Sequence, residues 1–293
     1  MLIFNKSYFF ILIQIFILST NCITLKPEME NAIAMDRGDS VTTIDITYRL
    51  HLPSNHSNNY NYNQLMLFFH GMNIWEDQKL INFLYKQKIE PDSLYGSPIN
   101  DFDFLKKIII NQKTKIFVEI GVFRGATSIG IAKMLDELIS NQYSYLHDSF
   151  IISIDTWLLD LRFVWEEYGQ TKNEYFKNKY IGGNSLMYYT FLSNVIKYNV
   201  THRIIPMPSS SLNAAMSFIA HGIKPDFIYL DASHANPDVY LDLINWWNLL
   251  NNNGIMVCDD YGIPSVRQAI DTVVKIYDIK NYVKGGQIWF FKK

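Results

Sequence analysis

The stretch KIFVEIGVFRGATS, residues 115–128, decides how this chain folds. Lys115 to Ile120 is a short run of β-branched and aromatic residues, which suits a buried strand and is too short for a helix. Gly121 and Gly125 interrupt it. From Ser128 to Leu138 apolar residues then recur at helical spacing. A strand, a glycine turn and a helix in that order make one unit of a parallel α/β layer.

The same alternation continues downstream. Buried strands are expected at Phe150 to Ile154, Arg203 to Met207, Phe227 to Leu230 and Ile255 to Cys258, with a last one at Gln287 to Phe291. Helices are expected at Leu212 to His221, from Asn236 to just before Gly254, and from Pro264 to about Tyr277. For the second of these, Asn236 is the expected cap, Pro237 sits in the first turn and Gly254 follows an Asn run. Upstream, Asp103 to Asn111 reads as a helix, as does Glu76 to Lys86, and Leu65 to Phe69 is a short apolar run. Residues 55–64 (NHSNNYNYNQ) read as a polar loop, and residues 158–198 as a long aromatic-rich insertion. The expected fold is α/β, a Rossmann-like doubly wound and mostly parallel sheet with helices on both faces.

Composition narrows the partners. Hydrophobic residues make up 48% of the chain, enough for a sizeable core and against wholesale disorder. With 26 basic and 28 acidic residues there is no basic excess, so nucleic acid is not an expected partner. Cys22 and Cys258 are too few for a disulfide framework or a four-thiolate zinc site. At the N-terminus Lys6 precedes an apolar run, YFFILIQIFIL at 8–18, and small residues through Cys22. The run is shorter than the ~20 residues of a membrane span. Residues 1–22 are therefore expected to be a secretory signal peptide, with an uncleaved anchor or a buried N-terminal helix as alternatives. That places the protein in the secretory pathway, the cytoplasm being the alternative, and limits membrane contact to an uncleaved N-terminal segment. Sequons stand at Asn55-His-Ser57 and Asn199-Val-Thr201, which an Asn-rich chain also generates by chance. Residues 23–100 are left as an N-terminal extension, and 101–293 as the main domain.

Open parallel sheets bind ligands beyond the C-terminal ends of their strands, so the residues there carry the chemistry. Glu119, Gly121, Gly125 and Ser128 follow or end the first strand, where glycines let a ligand approach the backbone and the next helix offers its N-terminal amides. The spacing is not the G-x-G-x-x-G of dinucleotide sites. Asp155 ends the second strand, where a carboxylate can take both hydroxyls of a ribose; it can also be a plain helix cap. Asp231 and His234 follow the fourth strand, and Asp259 and Asp260 the fifth. If those strands are neighbours, three carboxylates converge and repel one another, which a divalent cation with oxygen ligands would relieve. The alternative is that Asp259 and Asp260 are solvated turn residues.

Four segments together carry a resemblance: FVEIGVFRGATS (117–128), IISIDTW (151–157), DFIYLDASHANPDVYLDL (226–243) and GIMVCDDYGIPSVRQAID (254–271). In order and spacing they resemble class I S-adenosylmethionine-dependent methyltransferases, near the macrocin O-methyltransferase and methyltransferase-domain-24 families and more distantly catechol O-methyltransferase. The resemblance implies a seven-stranded sheet with its last strand reversed by a hairpin. It implies that Glu119, Gly121, Gly125 and Ser128 border the methionine part of S-adenosylmethionine. Asp155 would hold the ribose, Thr156 or Trp157 would lie beside the adenine, and Ser209 and Ser210 near its edge. Asp231, Asp259 and Asp260 match the metal positions of the metal-dependent members, which would hold magnesium or another divalent cation. Ser233 stands where some relatives carry an acidic base, so His234 becomes the substitute, with a capping role as its alternative. The insertion, with Trp165, Tyr168, Tyr188 and Tyr189, would cover the acceptor, or its rings would pack in the core.

The function implied is O-methylation of a small-molecule or sugar hydroxyl, catalysed through His234 and Asp231, with a homodimer left open. Two other classes remain: a hydroxylase on the same scaffold, and a non-catalytic cofactor-binding protein of the secretory pathway. A hydroxylase needs a redox metal, and no His-rich iron triad is visible in the sequence.

Overall fold

Apolar side chains alternate between the two faces of every strand at the centre of the sheet, because successive residues of a strand point to opposite sides. In the computed structural model, which describes residues 60–89, 91, 99, 101–158, 180–181, 184–284 and 286–292, strand β1 (Ile116–Ile120) is buried along its whole length. Ile116, Val118 and Ile120 enter one core layer and Phe117 the other. Strands β2 (Phe150–Asp155), β5 (Ile204–Pro208), β6 (Phe227–Leu230) and β7 (Ile255–Cys258) run parallel to it. Strand β9 (Gln287–Phe291) is antiparallel to β7, and a hairpin joins it to β8 (Lys280–Lys284). The resulting seven-stranded sheet has the order β5-β2-β1-β6-β7-β9-β8. A separate two-residue ribbon pairs β3 (Tyr180–Ile181) with β4 (Asn184–Ser185).

Helices cover both faces. On one side lie α3 (Phe102–Gln112), α4 (Ala126–Ser140) and α5 (Leu186–Lys197). On the other lie α1 (Tyr62–His70), α6 (Ser211–His221), α7 (Asp238–Leu249) and α8 (Pro264–Tyr277). A short helix α2 (Gln78–Lys86) follows α1 after a 3-10 turn. Among the described residues no helix is long and apolar enough to cross a membrane. The expected leader at 1–22, the sequon at Asn55, and Trp165 and Tyr168 of the insertion lie outside the described residues.

Two expectations are corrected. Asn236 does not cap α7: the helix begins at Asp238 with no side-chain cap, and the Asn236 amide instead donates to the Ser265 carbonyl at 3.0 Å. A competing backbone acceptor on the neighbouring helix has taken the side chain that sequence assigned to local capping. The polar loop ends earlier than residue 64, because Asn61 and Gln64 form a reciprocal capping box that starts α1. The apolar run at 65–69 is the middle of that helix, with Leu65 and Met66 buried.

Helix α1 and the turn after it close the open edge of the sheet. An edge strand shows a row of unpaired N–H and C=O groups that invite another strand. Strand β5 turns Arg203, and by alternation Ile205 and Met207, toward β2, with Ile151 N–H donating to the Arg203 carbonyl. Ile204, Pro206 and Pro208 therefore face outward, and the two prolines have no N–H to offer. The outward carbonyls are taken by side chains: Trp75 Nε1 donates to Ile204 at 2.9 Å and His70 Nε2 to Pro206 at 2.6 Å. Tyr62 donates its hydroxyl to the Thr201 carbonyl at 2.6 Å just before the strand. We expect Trp75→Phe and His70→Ala each to lower stability by about 1–3 kcal/mol, since each removes the shortest hydrogen bond to a β5 carbonyl, that of Ile204 keeping only the Tyr62 hydroxyl at 3.4 Å. Urea denaturation measures the loss, and light scattering should show more self-association in the double variant. Wild-type values in both would mean that the prolines alone protect the edge.

Candidate functional site

The chain runs β1, β2, β5 to one side of β1 and then crosses to β6 and β7 on the other. Where an open parallel sheet reverses its winding, the loops after the two central strands part and leave a crevice. Here that point lies between β1 and β6. Asp231 N–H donates to the Ile120 carbonyl at 2.8 Å, and the next residue on the β1 side is Gly121 at φ +86°. A Cβ on Gly121 would lie 1.9 Å from the Asp231 carbonyl oxygen, so only glycine permits this approach. Gly125, at φ +88°, meets a different neighbour: a Cβ there would strike the Phe191 ring at 2.8 Å, so its smallness serves packing against α5.

The turn between these glycines is braced by Asp155. One carboxylate oxygen accepts from Val122 and Phe123 N–H, each at 2.8 Å, and the other from Trp157 N–H at 2.7 Å. Burial raises its pKa against the lowering effect of those amides. Trp157 is itself buried, donating its indole N–H to the Phe123 carbonyl and stacking on Phe191 at 5.1 Å. Tyr188 leans on the same indole at 4.7 Å, while Tyr189 is buried beside Phe83. Thr156 is exposed next to it. Ser209 N–H donates to the Asp155 carbonyl, tying the end of β5 to the end of β2, and Ser210 caps α6 through Asn213 N–H. The sequence-selected residues of β1, β2 and β5 are thus gathered at one edge of the sheet.

Beneath the turn lies Glu119, only 2% exposed. Ser128 donates both its N–H, at 2.8 Å, and its hydroxyl to one Glu119 oxygen, and its hydroxyl also meets that of Ser153 at 2.6 Å. Burial pushes the Glu119 carboxyl up to about 8, with Asp231 and Asp155 adding to the rise.

On the far lip, parallel pairing of β6 with β7 brings the later carboxylates together. His234 Nε2 lies 2.9 Å from Asp260 Oδ2 and 3.6 Å from Asp231 Oδ1. These are ion-pair contacts; Nε2 makes no well-directed hydrogen bond. Held by Asp231 and Asp260, the imidazole is pushed up to about 10 and is a cation at neutral pH. Asp231 moves up to about 6 because it is buried, which outweighs the pull of His234, whereas Asp260 is lowered by His234. Among the described residues, Asp231, His234 and Asp260 each offer a ligand atom, all within 4.8 Å of one another. Asp259 is turned away, accepting the Tyr229 hydroxyl at 2.7 Å. The sequence named all four residues but not Tyr229 or Gln287, whose Nε2 donates to that hydroxyl at 2.9 Å. Inward-facing residues of buried strands carry no signal beyond apolar spacing.

A cavity of about 550 Å³ opens at the opposite end of the strands between Tyr62, Trp75, His147 and His202. A small pocket sits behind Asp231, His234 and Asp259. Position at the switch point outweighs size, since none of the convergent carboxylates faces the larger cavity.

Residues 118–261 match the family model described as a methyltransferase domain. No curated protein sequence matches the chain significantly. Among solved structures, the chain is similar to an O-methyltransferase from Bacillus cereus in complex with SAH. That match has 13% identity and a TM-score of 0.46, covering 74% of this chain and 90% of the other. It is also similar to an O-methyltransferase from Streptomyces achromogenes involved in tomaymycin synthesis, in complex with SAM. There the identity is 16% and the TM-score 0.44, with 79% of this chain and 97% of the other covered.

The buried Glu119 has a consequence for stability. Its pKa is raised on folding, so its contribution is fully present below the ordinary glutamate value of 4.5 and is lost as pH rises through about 8. Between pH 5 and 8 the wild-type protein should lose stability that Glu119→Gln does not, because an amide still accepts from Ser128 and carries no charge to bury. Urea denaturation across that range checks this. Parallel curves for the two proteins would mean that Glu119 is ionised in the folded state.

Proposed function

We propose that the protein, whose residues 118–261 match a family model described as a methyltransferase domain, moves the methyl group of S-adenosylmethionine to a hydroxyl oxygen of a small molecule or sugar. The observation that carries this reading is the crevice at the β1–β6 switch point. One lip is the Asp155-braced glycine turn and the other the Asp231–His234–Asp260 cluster. Glu119, Gly121, Gly125 and Ser128 are assigned to the methionine side of the cofactor. Asp155, Thr156, Trp157, Ser209 and Ser210 are assigned to the nucleoside side. Three of the roughly four acceptor sites of the Asp155 carboxylate are already used by backbone amides. A ribose hydroxyl would share the Trp157 side of that carboxylate while the other oxygen keeps bracing the turn.

The sulfonium is activated by its own charge, so the protein's task is to align the acceptor oxygen with the methyl group and to take its proton. Asp231 suits the second task. A carboxyl pushed up to about 6 is ionised at neutral pH yet a stronger base than an exposed aspartate. His234, already a cation there, is a donor that orients the acceptor oxygen. A divalent cation fits the same cluster if His234 gives up its proton, since two carboxylates and one imidazole then offer convergent atoms within 4.8 Å. When bound it would supply Lewis acidity to the acceptor hydroxyl. One histidine with two carboxylates is not the two-histidine set of non-haem iron oxygenases, so nothing in the cluster favours the hydroxylase reading.

Transfer of label from methyl-labelled S-adenosylmethionine to hydroxyl compounds tests the reaction. Asp231→Asn should lower turnover by roughly 10²–10⁴-fold, the usual worth of a positioned base. Its calorimetric affinity for S-adenosylmethionine should stay near that of wild type. Absence of cofactor binding in the wild-type protein would refute the proposal, and full turnover in Asp231→Asn would remove its base. A chelator that abolishes turnover without affecting cofactor binding would add the cation.

The route through the secretory pathway is also a proposal. It rests on the apolar N-terminal run and on Asn199, which is exposed at a left-handed turn after α5 within a sequon. Full-length protein from eukaryotic cells should shift on treatment with an N-glycosidase, and Asn199→Gln should remove one step of that shift. Untagged protein found wholly in the cytosol would refute it.

A further inference from the structure

Asp259 occupies a position that sequence grouped with the ligands, yet both of its oxygens are engaged elsewhere. Oδ2 accepts the Tyr229 hydroxyl at 2.7 Å, and Oδ1 accepts the backbone N–H of Asp260 at 2.8 Å. The Tyr229 side chain is fully buried in the sheet and its hydroxyl also accepts from Gln287 Nε2 at 2.9 Å. Gln287 is fully buried too, at the start of β9. Three adjacent strands, β6, β7 and β9, are thereby joined by one buried polar chain. Such a chain is costly unless every member is satisfied, so it holds its members in a single arrangement.

What it holds is a left-handed turn. Asp260 has φ +55°, a left-handed conformation uncommon for residues with a side chain, though aspartate is among those that tolerate it. The Asp259 carboxylate grips the Asp260 amide in that conformation, and the next residues are pinned on the other side. Tyr261 N–H donates to the Gly286 carbonyl and Ile263 N–H to the Asp260 carbonyl. The same turn brings Asp260 Oδ2 to 2.9 Å from His234 Nε2. His234 is fixed from its own side, because Ser265 Oγ at the start of α8 donates to its carbonyl at 2.5 Å.

We propose that Asp259 is a positioning residue: anchored by Tyr229 and Gln287, it locks Asp260 in its left-handed turn and so aims the Asp260 carboxylate at His234. The contribution to methyl transfer rests on the function proposed above; the locking of the turn does not. Rotating Asp259 into the cluster as a direct ligand would break its contact with a buried tyrosine hydroxyl.

Tyr229→Phe removes one oxygen and keeps the ring. Hydrogen exchange of the Asp260 amide should then accelerate at least tenfold relative to that of Ile152 in β2, which serves as the internal measure of global opening. The same variant should lower kcat for methyl transfer at least tenfold while leaving the KM for S-adenosylmethionine within twofold. Gln287→Leu should give a smaller change in the same direction, and it stands in if Tyr229→Phe fails to fold. Asp259→Asn, which keeps an acceptor for the Asp260 amide, should retain more activity than Asp259→Ala. An unchanged Asp260-to-Ile152 exchange ratio in the folded tyrosine or glutamine variant would overturn the proposal. So would normal kcat in Tyr229→Phe alongside its loss in both Asp259 variants, which would make Asp259 a direct participant. If the wild-type protein transfers no methyl group, the proposed function fails, and the exchange ratio alone still decides whether Asp259 locks the turn.

Discussion

The approach of Gly121 to the Asp231 carbonyl is the constraint on which the site depends. Strands β1 and β6 pair in register up to Ile120 and Leu230, and the chain must part immediately afterwards in two directions. A Cβ at position 121 would stand 1.9 Å from the opposing oxygen, so a side chain there would push the strands apart. With glycine, the two loops leave from adjoining points. The braced turn rises on one side and the carboxylate cluster on the other, without an intervening wall. Both lips of the crevice are positioned by this one contact, and the hydrogen bonds of Asp155 and Asp259 then set each lip in detail.

Charge is the second organising theme. Glu119 and Asp259 are buried and Asp155 and Asp231 half-buried at strand ends, and each copes with its loss of water by a different device. Asp155 gathers backbone amides, as carboxylates do at helix starts. Asp259 takes a tyrosine hydroxyl and one amide. Glu119 moves its pKa up and shares its serine partner with Ser153. Asp231 faces a histidine cation that also serves Asp260. The side that faces Asp155 is thus held by fixed amides, and the side that faces His234 is balanced by one mobile proton. Only the second offers groups that can exchange a proton or a cation, which is why the proposed chemistry is assigned there.

The N-terminal elements belong to the same economy of unpaired groups. Strand β5 faces outward with two prolines and two carbonyls, and α1 with its following turn supplies His70 and Trp75 to those carbonyls. These residues precede the segment matched as a methyltransferase domain, yet they complete its sheet. Tyr62 adds a third tie, and Leu65 and Met66 enter the core layer shared with α6 and α7.

Much of this was legible in the order of residues. Buried parallel strands read as uninterrupted apolar runs, so β1, β6, β7 and β9 stood out within a residue of their ends, and Pro264 announced α8. Glycine and acidic residues directly after such runs marked the crevice, because little else places them there. Strand β8, Lys-Asn-Tyr-Val-Lys, escaped notice: an edge strand needs no apolar run and is specified by its hairpin with β9. Helix α1 hid in a polar, Asn-rich stretch whose cap is a reciprocal pair three residues apart. What sequence could not decide was direction. Asn236 could reach its own helix or Ser265, and Asp259 could face His234 or Tyr229. Which partner wins depends on donors and acceptors brought in from strands and helices far along the chain. Residue types and spacing determined the fold and the location of the site; the roles of Asp259, Tyr229 and Gln287 within it were decided only when three strands packed side by side.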